Sequence, residues 1–147
     1  IALIIFQRVC LMLLSRINCF PVERGNGKSE QALTYAVNLL KKGFNLAIFP
    51  EGKINSQLPY FPGEAKSGIS RIACEANAPI LPCSIYFSGK LMPFKRVIIS
   101  YGKPITCAEI ENNLSENEYE YHKNNSAYIF DKTKALWKEC AEYVKSV

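Results

Sequence analysis

Glu51 and Lys53 flank a glycine at the end of a short apolar run, in the stretch Asn45-Leu46-Ala47-Ile48-Phe49-Pro50-Glu51-Gly52-Lys53. Leu46 to Phe49 has the composition of a strand buried on both faces, as in parallel sheets. Pro50 removes a ladder donor and ends the strand, and Gly52 allows a sharp turn beside a carboxylate and an ammonium. Open α/β sheets hold ligands beyond the carboxyl ends of their strands, so this turn is a candidate binding site. The alternative is an ordinary strand-to-loop exit carrying two solvated charges.

Two other groups invite chemistry and are weaker. Gly27-Lys28-Ser29 imitates the end of a phosphate-cradling P-loop, but that loop needs a glycine five positions before Gly27, where this chain has Val22. The single histidine, His122, lies in an Asn-rich stretch and reads as a solvated surface residue.

The elements that must position these groups follow from periodicity. Ile1 to Ile17 is nearly all apolar, with Gln7, Arg8, Ser15 and Arg16 as interruptions. The central Gln-Arg pair makes it a poor transmembrane span, so a buried helix is expected, with an interfacial membrane helix as the alternative. Asn18 to Val22 reads as a short edge strand. A helix is expected from about Ser29 to Lys42, with Leu33, Ala36, Val37 and Leu40 as its stripe and Gly43 as its cap. A second runs from about Lys66 to Asn77, with Ile69, Ile72, Ala73 and Ala76 on one face. Strands follow at Ile80 to Phe87, despite Pro82, and at Arg96 to Tyr101. Glu109 to Asn125 reads as a solvated linker or weak helix, and Ala127 to Val144 as a terminal helix through Phe130, Lys134, Trp137 and Ala141. The alternation gives an α/β class, a mixed and largely parallel sheet flanked by helices.

Composition bounds the rest. With 147 residues, 48% hydrophobic and 21% charged, the chain is one globular domain in size. A net charge of +5 suits an anionic partner such as a phosphorylated small molecule or an acidic membrane. The basic residues form no stripe, which argues against nucleic acid. Six cysteines without a Cys-x-x-Cys pair, beside one histidine, point to buried free thiols and to no metal site.

Several blocks, taken in order, resemble the glycerolipid acyltransferase family, the 1-acylglycerol-3-phosphate acyltransferases and their relatives. Phe49-Pro50-Glu51-Gly52 is similar to the family's Phe-Pro-Glu-Gly block. Phe20-Pro21-Val22-Glu23-Arg24-Gly25 is similar to the earlier block that ends in an acid-arginine pair, and Ala78-Pro79-Ile80-Leu81-Pro82-Cys83 to the last block. Lys66-Ser67-Gly68 resembles a lysine-glycine helix start, and Tyr101-Gly102-Lys103-Pro104-Ile105 a closing turn. The motifs lie within 18–105, so residues 1–106 are expected to be a partial acyltransferase domain, with 107–147 its linker and terminal helix.

The resemblance implies an O-acyltransferase of phospholipid biosynthesis. A histidine, held by an aspartate five positions later, takes the proton from a glycerol hydroxyl. That hydroxyl attacks the thioester of acyl-CoA or acyl carrier protein; no other cofactor is implied. The partners implied are a lysophospholipid or glycerol-phosphate acceptor and a membrane surface, on the cytoplasmic face as a peripheral or integral protein. Arg24 matches the phosphate-binding arginine, Glu51 and Gly52 the acceptor-binding turn, and Lys66 is a second cation. The family continues Phe-Pro-Glu-Gly with Thr or Ser and then Arg; here Lys53 and Ile54 follow, and Lys53 replaces the arginine as a point charge only. No His-x4-Asp block occurs: five positions after His122 stands Ala127. The chain starts at Ile1 and is therefore expected to be a fragment that carries the acceptor-binding half without its base. A phospholipid-binding relative that does no chemistry, and a plain interaction domain, are the rival expectations.

Overall fold

The computed structural model describes residues 19–20, 28–52, 62–87, 97–110 and 117–146. The chain forms two compact units, residues 1–36 and 37–147. The expected helix at 1–17 and the Gly27 end of the P-loop-like stretch lie outside the described residues, as does the expected strand at 18–22 apart from Cys19 and Phe20. In the first unit the Phe20 ring meets Tyr35 edge-on, with centroids 5.0 Å apart.

Helix α1 spans Lys28–Lys41, close to the expected bounds. Ala36 and Val37 of its stripe are buried, and Lys41 sits in the last turn, where the helix dipole favours a cation. Gly43 adopts φ +85°, the left-handed conformation that ends helices, and its N–H donates to the Leu40 carbonyl at 2.9 Å.

Helix α2 spans Gly68–Ala76 and also stops on a left-handed residue, Asn77 at φ 47°. The residue at its amino-terminal boundary, Ser67, makes no side-chain cap. Another helix supplies that function, as described below.

Strands β1 (Cys83–Phe87) and β2 (Val97–Tyr101) pair antiparallel, with Cys83 opposite Tyr101, Ile85 opposite Ile99 and Phe87 opposite Val97. An isolated antiparallel bridge, Ile80 to Ile105, extends the pairing past Pro82. Pro82 lies just before β1, where its missing donor costs nothing, and its carbonyl accepts from Gly102 N–H at 2.9 Å.

Helix α3 is a single turn, Cys107–Ile110, started by Thr106, whose hydroxyl donates to the Glu109 carboxylate at 2.9 Å. Helix α4 then runs for 29 residues, Glu118–Ser146. It covers the face of the strand pair that carries Ser84, Tyr86, Ile98 and Ser100, with the Trp137 ring 5.1 Å from Tyr86. Ile105, Ile110 and Ile129 form the core where α2, α3 and α4 meet, with Ile69, Cys74, Ile80 and Tyr128 packed around them.

Three expectations need correction, and a fourth resolves between its alternatives. The sheet among the described residues is two-stranded and antiparallel, not largely parallel. Residues 44–49 form no strand, and Ala47, Ile48 and Phe49 are exposed; an apolar run demands burial, but no described strand pairs with it. Of the two readings of the Asn-rich stretch, linker or weak helix, the helix holds from Glu118 onward: Asn117 accepts the Tyr119 N–H at 3.0 Å and α4 starts nine residues before the expected Ala127. The thiols are not uniformly buried: Cys107 and Cys140 are, whereas Cys19 and Cys83 are exposed.

Candidate functional site

The turn at Phe49-Pro50-Glu51-Gly52 forms as its residues require. Gly52 takes φ 62° and donates its N–H to the Phe49 carbonyl at 3.2 Å, closing a four-residue turn. Proline at the second position presets φ, and glycine at the fourth accepts the left-handed conformation.

Two further hydrogen bonds tie this turn to the segment that enters α2. The Glu51 carboxylate accepts the Gly63 N–H through Oε2 at 2.8 Å. The Pro50 carbonyl accepts the Lys66 N–H at 2.9 Å. A Cβ at position 63 would stand 2.9 Å from Glu51 Oε2, a contact that a small shift of the flexible carboxylate relieves. Glu51 and Gly52 are half-buried, whereas Lys66 is exposed.

Of the residues expected from sequence, the structure brings Glu51, Gly52 and Lys66 together at one turn. Arg24 and Lys53 lie outside the described residues. The arrangement offers a carboxylate with a backbone donor already on one oxygen, tied through the Pro50 carbonyl to the backbone of an exposed lysine. Among the described residues no group of three His, Cys, Asp or Glu side chains gathers as metal ligands. Among them, too, no helix is long and apolar enough to cross a membrane.

His122 is not the solvated residue expected. It lies half-buried on α4, with Nδ1 3.1 Å from the Ser70 hydroxyl on α2. Four residues along the same face of α4, the Ser126 hydroxyl accepts the Ser70 N–H at 3.3 Å. That N–H belongs to the first turn of α2, where amides have no partner within the helix. Ser126 thus caps α2 from another helix, and His122 and Ser126 together fix the helix that follows Lys66. Sequence reasoning missed Ser70, Ser126 and Gly63. The apolar stripe of α2 signals which side is buried but not that a serine accompanies it, and Pro62-Gly63 reads as any loop.

Comparison with known proteins agrees with the ordered blocks. The acyltransferase family model matches residues 2–86, more than half of the chain. A chloroplastic 1-acyl-sn-glycerol-3-phosphate acyltransferase from Brassica napus is 28% identical over 120 aligned positions, covering 71% of this chain and 34% of the relative. The chain therefore spans about a third of that relative's length. No solved structure matches it. The matched region contains the Arg24 block and the Phe-Pro-Glu-Gly turn, and it reaches into the strand after Pro82, in the order in which they resemble the glycerolipid enzymes. The chain belongs to the acyltransferase family.

Proposed function

We propose that this chain is part of a glycerolipid acyltransferase and carries the surface that holds the phosphorylated acceptor. The whole protein moves an acyl group from a CoA or acyl-carrier-protein thioester to the hydroxyl of a lysophosphatidate or glycerol-phosphate acceptor at a membrane surface. Lys53 and Lys66 supply charge for the phosphate and Glu51 with Gly52 forms the turn beside which it binds, while Arg24 is carried as the phosphate-binding arginine on its sequence block alone. Fixing the phosphate places the hydroxyl for attack, and that is where the rate advantage of positioning comes from.

The observation that carries this reading is the junction of the Phe-Pro-Glu-Gly turn with Lys66 through the Lys66 N–H and the Pro50 carbonyl. It joins the backbone of Lys66, whose side chain is exposed, to one of the ordered blocks that carry the family resemblance. The 147 residues contain no His-x4-Asp spacing, and His122 is engaged with Ser70, so binding and not turnover is the activity expected of them.

Titration of the 147-residue chain with a short-chain lysophosphatidate below its micelle concentration tests this. Saturable binding that weakens about tenfold in Lys66→Ala and in Arg24→Ala is expected, on the scale of a charge-assisted hydrogen bond. Binding that is absent, or indifferent to both substitutions, rejects it. Acyl transfer by the chain alone at enzyme-like rates would show that its base had been misassigned. The absent spacing equally favours a relative that binds phospholipid without turnover. That reading holds if the full-length protein binds the acceptor but transfers no acyl group.

A further inference from the structure

The Glu51 carboxylate has a partner already. Its Oε2 takes the Gly63 N–H at 2.8 Å, while the neighbouring Pro50 carbonyl takes the Lys66 N–H at 2.9 Å. The two bonds run side by side from one turn to one four-residue segment, Gly63-Glu64-Ala65-Lys66. A charged acceptor makes the outer bond the stronger of the pair. The position opposite it has no Cβ, and one would crowd the carboxylate oxygen at 2.9 Å. Immediately after Lys66 the chain enters α2, whose first turn is held by Ser126 and whose Ser70 is held by His122. Lys66 is thus fixed from both sides, by the turn before it and by α4 beyond it.

We infer that Glu51 is a positioning residue: it straps the Gly63–Lys66 segment to the Phe49–Gly52 turn and so sets Lys66 in place, rather than contacting the acceptor with its charge. This deepens the proposed acceptor site and rests on it, yet it predicts a different response to substitution. A carboxylate that acts on the ligand by charge is not replaced by an amide. A carboxylate that acts by accepting one N–H is replaced by an amide of the same length, since the glutamine carbonyl oxygen accepts too.

The test compares Glu51→Gln and Glu51→Ala in the 147-residue chain by two readouts. Amide exchange at Gly63 and Lys66 reports the strap, and titration with the same short-chain lysophosphatidate reports the site. Slow Gly63 exchange in the native chain and in Glu51→Gln, with exchange about tenfold faster in Glu51→Ala, is expected for one part-buried bond lost. Affinity follows the same order, within about twofold of native for Glu51→Gln and about fivefold weaker for Glu51→Ala. The inference is overturned if Gly63 exchanges freely in the native chain. It is also overturned if Glu51→Gln binds as weakly as Glu51→Ala while Gly63 stays protected, because the charge itself would then be what the ligand meets. If the native chain binds no lysophosphatidate, the proposed function falls, and the strap stands or falls on Gly63 exchange alone.

Discussion

The body formed by α2, α3, α4 and the strand pair and the stretch from Phe44 to Gly52 are both rich in large apolar side chains, and they spend them differently. In the body, Ile110 is 0% exposed and Ile129 2%, while in the stretch Phe49 is 79% exposed and Phe44 60%. Both obey the same pattern rules, so hydrophobic residues alone do not separate them. The separation comes from partners. Ile129 lies on a 29-residue helix that can lie across two strands and a second helix, whereas Phe49 lies on a segment that pairs with no described strand and whose backbone bonds run to the end of α1, to its own turn and to Lys66. What holds Phe44–Gly52 in place is polar: the turn bond at Gly52, the Lys66 amide and the Glu51 carboxylate.

That contrast can be broken by substitution. Ile129→Ala removes a fully buried side chain from the core and should cost about 2–5 kcal/mol in urea unfolding. A loss as small as that of a surface change would mean the α4 core is not what stabilises the chain. Ser126→Ala removes the cap that α4 gives to α2 and should cost about 1 kcal/mol. It should also speed exchange of the Ser70 amide, which a simple loss of side-chain volume would not do selectively. Asn77→Ala places a Cβ-bearing residue with no local polar bond at φ 47° and should cost about 0.5–1 kcal/mol, visible as a lower Tm. Phe49→Ala should change stability by less than about 0.5 kcal/mol, since the ring is already in water. A large loss there would show that Phe49 is covered and would erase the difference between the two regions.

Helices α1 and α2 were legible because each carries a stripe of period 3.6 and a stop signal. Leu33, Ala36 and Val37 with Gly43 place α1 to within a residue, and Ile69, Ile72 and Ala73 with Ala78-Pro79 place the end of α2. The strand pair was legible as two strands but neither in direction nor in facing, because Ser84 turns toward α4 while Ile85, Val97 and Ile99 stay exposed, the reverse of what polarity alone suggests. The largely parallel sheet rested on Leu46–Phe49, and an apolar run states a need for neighbours without supplying them.

The site was legible only as far as its motif. Glu51 stands out in Phe-Pro-Glu-Gly, but its partner, Gly63, is twelve positions away and carries no side chain by which to be found. His122 was misjudged for the opposite reason. Its polar surroundings, Lys123-Asn124-Asn125-Ser126, suggest solvent, yet Asn125 and Ser126 are both fully buried, and Ser126 with His122 lies on the side of α4 that meets Ser70 of α2.

Helix α4 carries both the single histidine and the single tryptophan of the chain, at opposite ends of its contacts. The imidazole of His122 meets Ser70 on α2, and the indole of Trp137 meets Tyr86 on β1. The helix therefore holds one spectroscopic reporter at each of its seams. A single imidazole resonance follows the seam with α2, and a single indole emission follows the seam with the strands. Partial undocking can thus be assigned to one end without a label being introduced, and a ligand that loosens only the α2 end would shift the first signal and leave the second where it was.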